Sequence, residues 1–443
     1  MSISQFVLEN SKRTFYYDNE LHAILDQDRV MLSLPALQQS DYYEQTAQQE
    51  GVRWKNNTPK ALRILLGQAC NYSCTYCMQK DIGNLTEKPE SLHVDQFLAD
   101  LDANIKYDNL TRIELWGGEP FLYWKDMVKI MDRMDAPHIE FYISTNGSPL
   151  QNKHLDYFEQ LQGRVTMSIS HDGPGQESLR GEDILLRPNR VATIRRMYGM
   201  APKVQFSFNT VISATNYDLF EINDYFRNFG LANNMPDLRL YFIHATNYDA
   251  TNTVNSANHV LRGEDLGKFN AIMRRYIDQY VDQLLDPKKD KVLLHQGIVQ
   301  GPGAMTDFAR LLGHQLPVTT HSRCGADSAN VLSVDTEGSV RLCPHASEKY
   351  NAGHVTHLKG IRVLNIDLDR KKNHCAPCPV KRLCKSSCPI KFPDAVFLQN
   401  CAVEKVWYGN IQRGAFKLLF GEAAELTAVN VQTSDDKLSH QLQ

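Results

Sequence analysis

Between Lys60 and His244, six short runs rich in apolar, β-branched or aromatic residues alternate with longer amphipathic stretches. That alternation restricts the fold more than any other feature of the chain. Arg63–Gly67, Arg112–Trp116, His138–Ser144, Arg164–Ser170, Lys203–Ile212 and Arg239–His244 read as strands, each bounded by turn formers. Val94–Ile105, Tyr123–Met134, His154–Leu161, Pro188–Tyr198 and Tyr217–Phe229 read as the helices between them. Strand–helix alternation of this kind builds a parallel sheet covered by helices. Right-handed crossovers curl it, giving an α/β fold, a full or partial (β/α)6 barrel. Loops that leave the C-terminal ends of such strands gather at one edge, so polar motifs found there are candidates for a common site.

The ten cysteines fall into two fields, with none between Cys77 and Cys324. Cys70, Cys74 and Cys77 follow the first strand at C-x3-C-x2-C spacing. One short loop can wrap an iron–sulfur cube with such thiols, and three thiolates leave one of four irons without a side-chain ligand. A zinc knuckle, or small buried thiols, is the plainer alternative. The second field runs Cys324, Gly338-x4-Cys343, Cys375-x2-Cys378-x5-Cys384-x3-Cys388, then Cys401. Under reducing conditions such clusters read as metal ligands rather than disulfides.

Three further motifs fall at strand ends. Trp116-Gly117-Gly118-Glu119-Pro120 leaves the second strand; its glycines permit close backbone approach and its carboxylate can receive an ammonium group. Alone, it is also an ordinary turn in which proline opens a helix. Ser144-Thr145-Asn146-Gly147 closes the third strand, and Ser168-Ile169-Ser170-His171-Asp172-Gly173-Pro174 closes the fourth, with Arg180 shortly after. Asn209 lies on the fifth strand, where it can face inward or be a satisfied polar residue of the barrel core.

The loop of Cys70, Cys74 and Cys77, with aromatic Tyr76 before the last thiol, resembles the signature of radical S-adenosylmethionine (SAM) enzymes. The resemblance implies a 4Fe-4S cluster on these thiolates, chelated at its open iron by the methionine end of SAM. Reductive cleavage of SAM then yields a 5′-deoxyadenosyl radical that removes a hydrogen atom from substrate. It further implies that Glu119, beside Gly117 and Gly118, accepts from the SAM amine, and that Ser144 and Asn146 reach its ribose or carboxylate. Tyr76, Ser170, Arg180 and Asn209 complete the SAM contacts, although Arg180 follows the Ser-x-Asp-Gly-Pro segment at a shorter gap than usual.

The second cysteine field resembles the SPASM extension of that family, which carries two auxiliary 4Fe-4S clusters. By that resemblance Cys324, Cys343 and Cys388 hold the first, and Cys375, Cys378, Cys384 and Cys401 hold the second. Three clusters thus use all ten thiols. His321, His345 and His354 are candidates for the remaining position of the first auxiliary cluster, or the substrate binds there. The same resemblance implies that Val331–Leu342 makes a hairpin turning at Asp335–Gly338.

The expected function is maturation of a ribosomally made precursor peptide by hydrogen-atom abstraction from a side chain and formation of a cross-link. A flavodoxin or ferredoxin would supply electrons. An anaerobic sulfatase-maturing reaction is the rival, but Pro344 and His345 follow Cys343 where that group has an aspartate. Dehydrogenation of a small molecule and a non-enzymatic zinc scaffold are further alternatives. A formal net charge of −3 argues against a nucleic-acid partner. The longest apolar runs, such as Ala61–Gly67, fall far short of a membrane span. The first residues lack the basic-then-apolar pattern of a signal peptide, so a cytoplasmic protein is expected, and mixed charge without heptads makes a monomer the default.

The chain divides, on this reading, into five parts. Residues 1–60 are a preface, in which Gln5–Glu9 and Thr14–Asp18 form a hairpin and Leu21–Leu37 is helical or mixed. It is either part of a leader-binding module or a cap on the main domain. Residues 61–245 are the barrel and 246–320 a bridge, with a helix over Leu266–Leu285, a glycine-rich Gln296–Gly303 and a short helix over Met305–Leu312. Residues 321–405 are the SPASM domain, and 406–443 a C-terminal helix followed by a disordered polar tail from Val429.

Overall fold

The computed structural model describes residues 2–18, 23–30, 32, 54–77, 79, 94–246, 258–286, 288, 292–296, 325–343, 351–363, 375, 377–384 and 394–431. Its centre is a run of parallel strands: β4 (Ala61–Leu65), β5 (Arg112–Trp116), β6 (Glu140–Thr145), β7 (Arg164–Ser170), β8 (Val204–Ile212) and β9 (Arg239–His244). Each pairs with the next in chain order. Helices α1 (Val94–Asn104), α2 (Trp124–Met134), α3 (Asn152–Gln160), α5 (Pro188–Gly199) and α6 (Leu219–Ala232) lie between them, with a one-turn α4 (Gln176–Leu179) after β7. The expected partial barrel is present, with element ends within a few residues of those read from sequence.

Side-chain alternation separates the two faces of the sheet. Ile113, Leu115, Phe141, Ile143, Val165, Met167 and Ile169 are completely buried in the hydrophobic core. Each contributes about 1.5–3 kcal/mol by leaving water. The alternate positions are polar: Arg63 pairs with Glu114 at 2.5 Å and Arg112 with Glu140 at 3.3 Å, lining the inner face with charge.

The second cysteine field is not a detached unit. Its hairpin, β11 (Val331–Asp335) and β12 (Ser339–Arg341), turns as expected around Gly338 at φ +83°. β11 then pairs parallel to β4 in the register Val331↔Ala61 to Asp335↔Leu65, so the hairpin prolongs the barrel sheet. Among the described residues that sheet has ten strands, from β10 (His295–Gln296) beside β9 to β13 (Asn351–His354) beyond β12. Lys55 fastens the join, since its buried ammonium donates to the carbonyls of Gly325, Ser328 and Val331, each at 2.7 Å.

Both chain ends depart from expectation. The hairpin of β1 (Ser2–Leu8) and β2 (Thr14–Asp18) forms, but Ala23–Leu25 is a third strand, β3, where a helical or mixed stretch was expected. The fourth strand, β14 (Ala424–Val431), comes from the far end and pairs antiparallel to β1, Ser2 opposite Val431. Val429–Val431 therefore belong to a sheet rather than to the disordered tail assigned from Val429 onward. Polar side chains misled that reading, because a strand's backbone pairing does not depend on them.

Four-stranded pairing leaves an apolar face, and helix α9 (Asp394–Phe420), which follows the one-turn α8 (Lys381–Cys384), covers it. Phe6 stacks on Phe416 at 4.6 Å and Phe15 on Phe420 at 4.7 Å. The division drawn at 405/406 thus cuts through one continuous helix that carries Cys401 near its start and this packing at its end. Helix α7 (Gly263–Leu285), expected over Leu266–Leu285, packs beside it through Phe269 and Trp407, 5.7 Å apart. The readings for Gln296–Gly303 fall largely, and those for Met305–Leu312 wholly, outside the described residues.

Candidate cofactor and active site

The start of the loop after β4 is pinned to the end of β5 by backbone hydrogen bonds. Glu119 N–H donates to the Ala69 carbonyl at 2.9 Å, and Gly118 N–H to the Gly67 carbonyl at 2.9 Å. A Cβ at Gly118 would stand 2.3 Å from the Ala69 oxygen, and one at Gly117 2.8 Å from the Gly67 oxygen. The two glycines are therefore required by contact with the cysteine loop itself, in addition to facing the cavity. From the other side, Tyr123 Oη accepts the Ala69 N–H at 2.8 Å.

At the C-terminal edge of the sheet these loops enclose a cavity of about 320 Å³. All three loop thiols line it, with Tyr76, Gly117, Gly118, Ser144, Asn146, Ser170 and Arg180 among the residues expected there. Val211, Ile243, His244 and Thr246, at the ends of β8 and β9, close the opposite wall.

Two expected contacts do not reach the cavity. Glu119 is fully buried as the cap of a short 3-10 turn over Pro120–Tyr123. Its Oε1 accepts from Phe121 N–H at 3.1 Å and Thr145 Oγ1 at 2.7 Å, while Oε2 accepts from Asn146 N–H at 2.7 Å. It positions the strand ends and is absent from the cavity wall. Asn209 donates its side-chain amide to Ser168 Oγ and is likewise absent from the wall. In both cases a neighbouring strand offered a closer partner than the cavity.

Arg180 is placed by a residue whose role sequence reading understated. Asp172, completely buried, accepts from Arg180 Nε at 3.0 Å, Arg180 Nη2 at 3.3 Å and Val211 N–H at 3.0 Å, and also from the Tyr76 hydroxyl. The guanidinium in turn lies 5.2 Å from the Tyr76 ring centre and 3.9 Å from Cys74 Sγ. Burial opposes its charge, but the Asp172 carboxylate outweighs that and holds Arg180 firmly cationic. The short gap from Asp172 to Arg180 is spanned by the single turn of α4, which brings the two side chains back together.

The donor chemistry fits an iron–sulfur group. Burial pushes the Cys70 thiol up to about 11, opposed by the Tyr72 N–H, and raises Cys74 as well. Such thiols give up their protons to a bound cation, which supplies the missing positive charge. Among the described residues no three Cys, His, Asp or Glu side chains converge tightly enough to hold a single metal ion. A cubane distributes its thiolates over separate irons, and three thiols lining one cavity suit it.

Cys375, Cys378, Cys384 and Cys401 line a second cavity, of about 230 Å³, together with Glu404 and Lys405. Burial pushes Cys401 up to about 12, and the neighbouring Cys375 and Cys378 add to it. These are the four thiols assigned to one auxiliary cluster. Of the other set only Cys343 is among the described residues; Cys324 and Cys388 lie outside them, as do His321 and His345. His354 is not a candidate ligand here, because its Nε2 meets the Glu337 carbonyl and its Nδ1 the Thr356 hydroxyl, both at 2.9 Å.

Sequence reading did not single out Gln79 or His244. Gln79 is buried on the cavity wall and its amide nitrogen has no hydrogen-bond partner among the described residues. His244 could have been found as the last residue of an inward-facing strand. Gln79 carries no comparable signal.

Residues 64–205 match the profile of the Radical SAM superfamily. A curated relative, the radical SAM cyclopropyl synthase TigE of Paramaledivibacter caminithermalis, is 24% identical over 196 residues, 39% of this chain and 40% of that protein. A GTP 3′,8-cyclase of Clostridium perfringens is 25% identical over 296 residues, 64% of this chain and 80% of that protein. The chain spans about half the length of the curated relatives it matches first. Among solved structures, anSMEcpe with bound AdoMet aligns with a TM-score of 0.54 at 17% identity, over 82% of this chain and 97% of that one, a likeness of fold.

Proposed function

The chain belongs to the radical SAM superfamily, and on that premise we propose that it modifies a side chain of a ribosomally made precursor peptide, removing a hydrogen atom and installing a cross-link. One observation carries the chemistry: the three loop thiols open on the same cavity as Gly117, Gly118, Ser144, Ser170 and Arg180. A 4Fe-4S cluster held by Cys70, Cys74 and Cys77 supplies, when bound, the electron that cleaves SAM to the 5′-deoxyadenosyl radical.

The chain's own residues do the rest. Arg180, locked onto Asp172, presents fixed positive charge to the carboxylate of SAM. Ser144, Asn146 and Ser170 offer short polar groups around it. Gly117 and Gly118 hold the thiol loop against β5, so the distance from thiolates to cofactor is set by backbone contacts that cannot relax. Val211 and Ile243 contribute apolar surface that keeps water from the radical.

Two observations favour a peptide over a small molecule. The four-cysteine cavity suits an auxiliary cluster of the SPASM kind, and anSMEcpe, similar in fold, was also solved with AdoMet and the Cp18Cys peptide. A flavodoxin or ferredoxin is the proposed electron donor. The test is anaerobic turnover with SAM, reductant and the precursor peptide. The expected result is 5′-deoxyadenosine together with a peptide lighter by two hydrogens, one taken as an atom by the radical and one lost as a proton and an electron when the cross-link closes. Formylglycine at a cysteine or serine would replace this reading with the sulfatase-maturing one. Loss of neither thiol-dependent 5′-deoxyadenosine nor iron in a variant lacking Cys70, Cys74 and Cys77 would refute the site.

A further inference from the structure

The walls of the two cysteine-lined cavities approach each other at one pair of side chains. His244, at the end of β9, lines the cavity of the thiol loop. Its Nε2 stands 3.6 Å from Glu404 Oε2, an ion-pair separation slightly longer than a hydrogen bond. Glu404 lies one helical turn after Cys401 on α9 and lines the cavity of Cys375, Cys378, Cys384 and Cys401. Both side chains are withdrawn from solvent, at 7% and 2% exposure. Trp407, completely buried, tilts against the imidazole at 5.6 Å and fixes its second face. The contact is therefore a direct link, two side chains long, between the proposed cofactor site and the proposed auxiliary site.

A carboxylate beside a histidine holds the ring in one orientation, as it does for metal-bound and catalytic histidines. A buried carboxylate beside an iron–sulfur group has a second effect. Negative charge in a low-dielectric setting disfavours adding an electron, and local charge is one of the levers that set cluster potentials. On the same wall Lys405 and Lys381 carry the opposite charge.

We propose that Glu404 is a positioning residue with two faces: it orients His244 toward the ligand in the SAM cavity and holds the iron–sulfur group of the four-cysteine cavity at low potential. The proposal rests on the auxiliary-cluster reading for its second face only. Nothing in the radical SAM loop motifs calls for either residue. The link arises because α9 carries Cys401 and Glu404 on its way to the terminal sheet.

The experiment uses the full chain, reconstituted anaerobically, with SAM as the probe. Equilibrium SAM binding is measured for wild type, Glu404→Gln, His244→Gln and the double variant. Each single substitution is expected to weaken binding by roughly three- to tenfold, and the double variant to be no weaker than the worse single one, the signature of residues acting as a pair. In parallel, a potentiometric titration followed by electron paramagnetic resonance reads each cluster. Glu404→Gln is expected to raise the midpoint of the C-terminal cluster, and Glu404→Asp, which keeps the charge, to restore it.

Additive losses in SAM affinity would overturn the link to His244, and an unchanged C-terminal midpoint would overturn the tuning role. If Glu404→Gln fails to fold, Glu404→Met, also neutral and of similar length, takes its place in the binding cycle and in the potentiometric titration. Failure of the auxiliary-cluster reading looks different: iron would be restricted to the loop cluster in wild type, while the SAM-binding cycle remained measurable.

Discussion

The Glu119 carboxylate accepts the Asn146 backbone N–H at 2.7 Å, tying the end of β5 to the end of β6 beneath the cavity. Through Asn146 the tie reaches the cysteine loop, because the Asn146 side chain donates to Asn71 Oδ1 at 2.9 Å and Asn71 donates to Ser148 at 2.6 Å. The acidic residue of the Gly-Gly-Glu motif thus governs where the cysteine loop sits without lining the cavity.

Glu119→Ala is expected to destabilise the protein by about 3 kcal/mol, since it leaves three donors unmatched in a buried site. Chemical denaturation measures this. SAM affinity should fall with it, through the displaced loop.

The same carboxyl makes stability depend on pH. Burial pushes Glu119 up to about 7, only partly offset by its three donors, whereas the unfolded chain has the ordinary value of 4.5. The unfolded state therefore loses its proton first. The group's contribution is fully present below pH 4.5 and is lost as pH rises through about 7. Melting temperatures of wild type and Glu119→Gln, measured across that window without cofactor, should change relative to each other in that direction. A constant difference would show that Glu119 does not titrate there.

Gly118→Ala should lower iron loading and SAM binding, because the added methyl meets the Ala69 and Gln68 carbonyl oxygens at 2.3 and 2.4 Å. Gly199→Ala provides the contrast, with nothing within 4 Å of the new methyl. It should leave iron content unchanged. Equal loss in both variants would remove the packing argument.

Asp172→Asn is expected to weaken SAM binding by about tenfold or more, because one charged partner of a buried pair is lost and Arg180 is freed to turn. Arg180→Lys should behave similarly, as an ammonium cannot span both carboxylate oxygens. Wild-type affinity in Asp172→Asn would show that Arg180 is placed by other contacts.

Phe416→Ala should cost about 3–5 kcal/mol, because this completely buried ring stacks on Phe6 and joins helix α9 to the terminal sheet. Thermal unfolding measures the loss.

Local pattern alone determined the barrel, its polar strand ends and the two cysteine fields. Periodicity, glycine and proline positions and thiol spacing are properties of short segments, and short segments dictate strands, helices and loops. Tertiary structure decided the rest. Glu119 reads as a cofactor contact until β6 presents Thr145 and Asn146 to it. Asp172 reads as one member of a turn until Arg180, Tyr76 and Val211 converge on it. Val431 becomes a strand residue only because Ser2, from the opposite end of the chain, lies beside it. Hydrogen-bond partners brought together by folding are remote in sequence, so no local pattern records which of two polar groups a side chain will choose.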